Sequence, residues 1–326
     1  METIIPSNTK VHIALASYYG AAYISEQLDS IRAQTHKQWR LLIRDDGSSD
    51  GTVEIVRALE SSDPRVTLLT GGRKSLGPGG NFAHIMQSAY DEGAEYLMLA
   101  DQDDAWREDK IALQLEAMKL AESRHGATTP LLVYSDLAVT DDNMRPVSES
   151  FMRHQGIRHE SEDPMKTLLA QNFVTGCASM VNRSLLRMAL PVPVDAIMHD
   201  WWLALVAAAA GRIEYLPEPL VRYRQHGNNV VGVKRFRDAI NPMVASQRWA
   251  EGRFYTIMTF EQAKSLAKRL RELDRPTPLE TMDLIEEFSR LPELSRLKRI
   301  TTIRRMGIRK QSLSRQLLMY LRLILT

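Results

Sequence analysis

Asp101-Gln102-Asp103-Asp104 sets three carboxylates within four residues, directly after the apolar run Tyr96 to Ala100, which reads as a buried strand. Carboxylates crowded at the end of a strand repel one another and ionise together only at a cost. A hard divalent cation, Mg²⁺ or Mn²⁺, removes that cost and bridges such carboxylates to a diphosphate. The same residues also suit a solvated turn in which Asp101 or Asp104 caps a helix beginning near Trp106. A calcium loop fits less well, because no glycine follows Asp101 where the sharp turn would need one.

Three further clusters carry chemistry. Asp45-Asp46-Gly47-Ser48 lies at a strand-to-helix turn, where a carboxylate can accept the imide N–H of uracil or thymine. The alternative is turn chemistry, with Gly47 relaxing the backbone and Ser49 or Asp50 capping a helix. His199-Asp200-Trp201-Trp202 opens the apolar run Leu203 to Ala210. Asp200 is there a helix cap or a general base whose pKa rises beside aromatic rings, and the tryptophans are a sugar platform or core. Tyr223-Arg224-Gln225-His226-Gly227-Asn228 is dense in hydrogen-bonding groups at a strand end. Arg224 and His226 suit a diphosphate, and a lone histidine also reads as structural. The loop Gly71 to Gly80, with Arg73 and Lys74, matches neither the dinucleotide glycine fingerprint nor the P-loop, and reads as a phosphate or ribose contact or as a surface loop.

The elements that must position these clusters alternate in the first half. Val11 to Ser17, Trp39 to Arg44, Val66 to Leu69, the run ending at Asp101, and Leu131 to Tyr134 read as strands. Between them Ile24/Leu28/Ile31, Val53/Val56, Phe82/Ile85/Met86/Ala89 and Ile111/Leu115/Met118 recur at helical spacing. Such strand–helix units predict a doubly wound, mostly parallel α/β sheet, in which ligands bind beyond the carboxyl ends of the strands. Ser17-Tyr18-Tyr19, Asp45-Asp46 and Asp101 to Asp104 all fall at those ends. The stretch from Asp141 to Val233 is less regular, and beyond it the pattern is mostly helical.

The chain of 326 residues, 44% hydrophobic and 25% charged, supports one large domain with an appendage. Cys177 is the single cysteine, which excludes a disulfide framework and a cysteine-based zinc site and fits a reducing cytoplasmic setting. The first ten residues lack the apolar core of a signal peptide, and no apolar run reaches membrane-spanning length.

The ordered set Ala16-Ser17-Tyr18-Tyr19-Gly20, Asp45 to Asp50, Asn81-Phe82, Asp101 to Trp106, Thr175-Gly176-Cys177, His199 to Trp202 and Arg224-Gln225-His226 resembles family 2 glycosyltransferases of the GT-A fold. It is most similar to the bacterial rhamnosyltransferases of surface-polysaccharide assembly. The resemblance covers roughly residues 10 to 235. It implies a catalytic domain over 1–235, with a nucleotide-binding half near 10–140 and an acceptor half near 141–235, and a helical basic region over 236–326. It implies that Ser17, Tyr18, Asp45, Asp46, Asn81, Asp101 and Arg224 hold the nucleotide and that Thr175 and Gly176 line the donor sugar. Asp200 becomes the catalytic base, and Asp103, Asp101 and His226 the ligands of Mg²⁺ or Mn²⁺. Where the family usually has Asn-Gly-Glu after the first strand, this chain has Tyr19-Gly20-Ala21. The implied reaction is inverting transfer of a sugar, L-rhamnose by likeness, from a dTDP- or UDP-linked donor to a glycan or lipid-linked acceptor. A UDP-sugar-dependent hexosyl or N-acetylhexosaminyl transferase, a metal-dependent sugar-nucleotide hydrolase and an idle nucleotide-sugar-binding scaffold are the other readings.

From Leu294 to Thr326 the chain carries nine basic residues and no acidic one, against a whole-chain net charge of +2, so the body is acidic. An acidic body without a recognition motif argues against a nucleic-acid partner. Leu313, Leu317, Tyr320 and Ile324 share a helical face with Arg315 and Arg322 opposite, a pattern that suits peripheral docking on an anionic inner membrane face or packing on the catalytic domain.

Overall fold

The computed structural model describes residues 8–70, 75–227, 242–273 and 277–325. Arg73 and Lys74 of the glycine-rich loop, and Asn228, lie outside them.

The first half alternates as the periodicity requires. Strands β1 (Val11–Ser17), β2 (Trp39–Asp45), β3 (Val66–Leu68) and β4 (Tyr96–Asp101) are separated by helices α1 (Ile24–Arg32), α2 (Thr52–Ser62) and α3 (Gly77–Asp91). After β4 come the two-residue strand β5 (Ala105–Trp106), α4 (Lys110–His125), β6 (Leu131–Thr140) and β7 (Pro146–Ser148). Next are the short helices α5 (Phe151–Gln155) and α6 (Pro164–Leu168), then β8 (Ser179–Asn182), α7 (Arg183–Ala189), α8 (His199–Ala210) and β9 (Arg212–Arg224). Four helices close the chain: α9 (Pro242–Glu272), α10 (Leu279–Ser289), α11 (Arg296–Met306) and α12 (Leu313–Leu325). No helix among the described residues is long and apolar enough to cross a membrane.

One sheet runs β3-β2-β1-β4-β8-β6-β9-β5, with β7 beside β6. It is mostly parallel; β8 is antiparallel to both β4 and β6, and β5 to β9. Side chains alternate across it with the period of two that a strand imposes. Val11, Ile13 and Leu15 of β1, Leu41 and Ile43 of β2, and Met98 and Ala100 of β4 face the layer of α1, α2 and α4. Ala14, Leu42, Leu97 and Leu99 face the other layer, built on α3, α7 and α8. Side chains of the closing helices, among them Phe260, Phe288, Ile303, Met319 and Leu323, belong to that second cluster.

The stretch after Asp104 differs from expectation. Ala105 and Trp106 pair with Arg222 and Val221 of β9 instead of starting a helix, and α4 begins only at Lys110. The partner strand lies more than a hundred residues on, so local propensity could not reveal it. Neither Asp101 nor Asp104 caps α4.

Candidate active site

Register alone assembles the three carboxyl-end clusters. Ser17 is level with Asp45 across β1–β2, and Ala16 with Asp101 across β1–β4. The chain leaves β1 through Tyr18 and Tyr19, half-exposed rings packed edge to face with centroids 4.6 Å apart. Gln102 fixes this turn to the next one. Its Oε1 accepts the Tyr18 N–H at 2.8 Å and its Nε2 donates to the Tyr18 carbonyl at 2.9 Å, so the β1 and β4 turns form one unit. Gly20 sits where a Cβ would collide with that amide. Tyr19 adopts φ 49°, a left-handed conformation that disfavours a bulky side chain. Its N–H donates to Ser48 Oγ at 2.7 Å, which holds it there.

The two aspartates after β2 have different surroundings. Asp45 Oδ1 accepts the N–H groups of Gly47 and Ser48 at 3.0 and 2.7 Å, and Oδ2 accepts the hydroxyls of Ser17 and Ser48 at 2.9 and 2.6 Å. Those two hydroxyls can rotate, so a ligand could replace them. Asp46 is buried and accepts from Arg44 at 2.7 Å, Ser75 Oγ at 2.7 Å and the N–H groups of Leu76 and Gly77 at 2.8 Å. Burial works against its charge, but these hydrogen bonds prevail and hold it below the usual carboxylate range. Asp46 thereby ties the end of the glycine-rich loop and the start of α3 to β2. Asn81, 2% exposed, accepts from Arg44 at 2.9 Å and donates to the Arg44 carbonyl at 3.1 Å, behind the cleft.

The carboxylates after β4 also separate into inner and outer groups. Asp103 meets His226 Nε2 at 2.8 Å, and the His226 ring stacks on Tyr23 with centroids 4.6 Å apart. Asp104 is fully buried and accepts the Arg224 backbone N–H at 3.2 Å. Asp101, Asp104 and Cys177 bring their ligand atoms within 4.8 Å of one another. Burial first, then Asp103 and Asp200, pushes Asp101 up, and burial pushes the Cys177 thiol up. A thiol held protonated is a poor ligand for a hard cation, so the inner trio reads as a hydrogen-bonded floor. Asp103, Asp101 and His226 offer the oxygen and imidazole donors that suit Mg²⁺ or Mn²⁺, but among the described residues only the inner trio brings its ligand atoms within 4.8 Å of one another, and Asp103 and His226 are paired with each other. The Arg224 guanidinium donates to the Asp103 carbonyl at 2.9 Å and the Asp142 carbonyl at 2.7 Å, and pairs with Glu26. Behind it, fully buried Lys110 donates to Gln114 Oε1 at 2.7 Å and lies 4.0 Å from the Trp106 ring centroid. Burial lowers it to about 7.

Opposite these carboxylates stands α8. Asp200 occupies its first turn, and the cap position belongs to Met198. Its Oδ2 accepts the Gly176 N–H at 3.1 Å and its Oδ1 the Trp201 N–H at 2.6 Å. Burial outweighs both bonds and pushes the carboxyl up to about 6. A Cβ on Gly176 would lie 2.9 Å from His199 Nε2 and 3.3 Å from Asp200 Cβ, so only glycine lets the Thr175-Gly176 turn approach α8 this closely. His199 is buried against Phe82, ring centroids 3.9 Å apart, and burial lowers it to about 3. Trp202 is fully buried in the core, and the Trp201 indole N–H donates to the Leu168 carbonyl at 2.6 Å.

Sequence reasoning missed Gln102, Glu26, Asp142 and Lys110. Gln102 was open to inference, since it lies between the two implied metal carboxylates. Glu26 and Asp142 reach the site only through long-range contacts that carry no local signal.

The sheet order and its layers of helices define a GT-A architecture. Staphylococcus aureus TarS 1–349, solved with UDP-GlcNAc, superposes with TM-score 0.54 at 15% identity, over 86% of this chain and 70% of that one. The mannosyltransferase PcManGT of Pyrobaculum calidifontis, solved with GDP-Man and Mn²⁺, gives TM-score 0.50 at 17% identity, over 91% of this chain and 73% of that one. The profile of glycosyl transferase family 2 matches residues 13–188, and the chain belongs to that family. A curated relative, the dTDP-rhamnosyl transferase RfbG of Shigella flexneri, is 26% identical over 227 residues, 67% of this chain and 73% of its own.

Proposed function

We propose that this glycosyltransferase acts in surface-polysaccharide biosynthesis, moving L-rhamnose from a dTDP-linked donor to a hydroxyl of a glycan or lipid-linked acceptor in one inverting displacement. The observation that carries the reading is Asp200: a carboxyl raised to about 6, near enough to Asp101 for its charge to push that carboxyl up as well. Similarity to RfbG supports the sugar and the nucleotide.

Asp200 takes the proton of the acceptor hydroxyl, whose oxygen attacks the anomeric carbon as the bond to the diphosphate breaks on the opposite face. Asp45, with Ser17, accepts the imide N–H of the base, and Tyr18 lies along the nucleoside. Asp46 and Asn81 act from behind by holding the loops, and Arg224 by bracing the Asp101 to Asp104 turn. Thr175 and Gly176 line the sugar. Asp103, Asp101 and His226 hold Mg²⁺ or Mn²⁺, which when bound supplies positive charge beside the departing diphosphate. Residues 1–235 carry this chemistry, and the basic region 236–326, with the described helices α9 to α12, works at the inner face of the cytoplasmic membrane.

A panel of dTDP-rhamnose and UDP-sugars, with Mn²⁺ and again with EDTA, tests the reading through nucleotide release with and without acceptor. Metal-dependent release from dTDP-rhamnose that requires an acceptor is expected. Release without acceptor would make the chain a hydrolase, a preference for UDP-sugars would replace the donor, and binding without turnover would leave a scaffold.

A further inference from the structure

The closing helices present a surface that glycosyl transfer does not use. Helix α12 buries Met319 and Leu323 against the core, yet its other side is also apolar. Leu313, Leu317, Leu321 and Leu325 recur every fourth residue, with 85%, 61%, 50% and 51% of their surface exposed. Single exposed leucines need no explanation, but a stripe along three turns does. Arg315 and Arg322, opposite the leucines, point into the protein. Arg315 donates to the Gln155 and Gly156 carbonyls, at 2.6 and 3.3 Å, and Arg322 lies against Gly252 and the Trp249 ring. The outward cations come from α11, where Arg296, Lys298 and Arg304 are exposed. A groove of about 650 Å³ opens where α11 hands over to α12, lined by Arg158, Arg304, Arg309, Lys310, Tyr320 and the first exposed leucine, Leu313. Against these four cations stands Glu160, which pairs with Arg158 and Arg309 at 3.3 and 2.9 Å.

We infer that the α11–α12 hairpin docks on an anionic bilayer, with the leucine stripe among the acyl chains and a lipid phosphate in the adjoining basic groove. This deepens the membrane-face placement proposed above by naming the surface and its ligand. Charge complementarity selects the occupant. The last 33 residues hold no anion and set Arg296, Lys298 and Arg304 outward, so two copies meeting through this face would repel, whereas anionic headgroups attract it. Leucines beside a cationic rim are the pattern of an interfacial helix. Lys310 adds to the argument: burial first, then Arg322 and Arg315, lowers it to about 8, a crowding that an anionic ligand relieves.

The test is flotation of the full chain with phosphatidylglycerol–phosphatidylethanolamine vesicles and with neutral phosphatidylcholine vesicles, without donor or acceptor. Failure here leaves the transfer reading intact, since that is assayed by nucleotide release with a soluble acceptor. Wild type should float with the anionic vesicles only. Leu317→Asp/Leu321→Asp, at positions outside the core, should lower partitioning by roughly tenfold or more while keeping the circular-dichroism spectrum and melting temperature. Arg158→Glu/Arg304→Glu should lower it by roughly tenfold or more through lost and reversed charge. Equal flotation of either variant, or of wild type on neutral vesicles, would overturn the proposal. So would a wild-type dimer that the leucine pair converts to monomer without changing flotation. A melting shift with inorganic pyrophosphate, but no flotation, would assign the groove to a soluble anion and overturn it as well.

Discussion

Replacing Asp200 with asparagine separates what the carboxyl does for catalysis from what its burial does to stability. A carboxyl lifted from 3.8 to about 6 carries about 3 kcal/mol against its ionised form. The raised value means that the folded state holds the proton more tightly than the unfolded chain. The wild type therefore loses stability as pH rises from about 4 to about 6, and no further above that. The asparagine side chain would not titrate. It keeps one acceptor for the Gly176 and Trp201 N–H groups and loses the other, an offset that does not vary with pH. Urea denaturation of both proteins in EDTA, at pH values from 4 to 8, should show the stability difference shifting towards the asparagine variant by about 3 kcal/mol, mostly between pH 4 and 6. In parallel, wild-type kcat/KM should fall as pH drops through about 6, while Asp200→Asn loses that limb and about 10²- to 10⁴-fold in rate. A stability difference that stays flat with pH would refute the desolvated carboxyl, and near-normal turnover of the variant would refute the base.

Asp103→Ala should lower kcat by orders of magnitude and abolish the response to Mn²⁺, since a unit charge near 4 Å is worth roughly 4 kcal/mol at an effective dielectric of 20; unchanged metal titration curves would remove the assignment. Gly176→Ala should destabilise the protein by about 1–3 kcal/mol and lower turnover, because its Cβ would press on His199 and Asp200; the melting temperature and kcat report both. Tyr19→Asn should raise stability by about 1 kcal/mol by relieving the left-handed tyrosine, and a neutral or lower melting temperature would show that the edge-to-face contact with Tyr18 outweighs the strain.

Much of the architecture was legible because β1, β2 and β4 are short apolar runs separated by helical periodicity, and because parallel sheets gather ligand residues at one edge. That logic alone places Ser17, Asp45 and Asp101 side by side. What remained hidden depends on distant pairing. Strand β5 exists only because β9 lies beside it, and β8 enters the sheet antiparallel between two parallel neighbours. The site shows the same division. Residue types marked Asp46, Asn81 and Arg224, yet only the structure shows that all three bond heavily to protein. The amphipathic reading of α12 placed Arg315 and Arg322 on the face away from the leucines, but not that this face looks into the protein.

The apolar cluster on the α8 side of the sheet reaches from Ala14 and Leu97 through Trp202 to Met319 and Leu323 without a break. Helix α8, which presents Asp200, is thus wedged between the sheet and the closing helices, and Trp201 borders the small cavity lined by Phe260, Met319 and Leu323. Deleting the tail to test the proposed lipid docking would strip one wall from the core, and the truncated chain would be expected to lose the geometry around Asp200 as well. The chain should melt as a single cooperative unit. The closing helices thus back the site whatever they dock on, so testing the proposed docking face takes point changes on the outer skin of α12 rather than scissors.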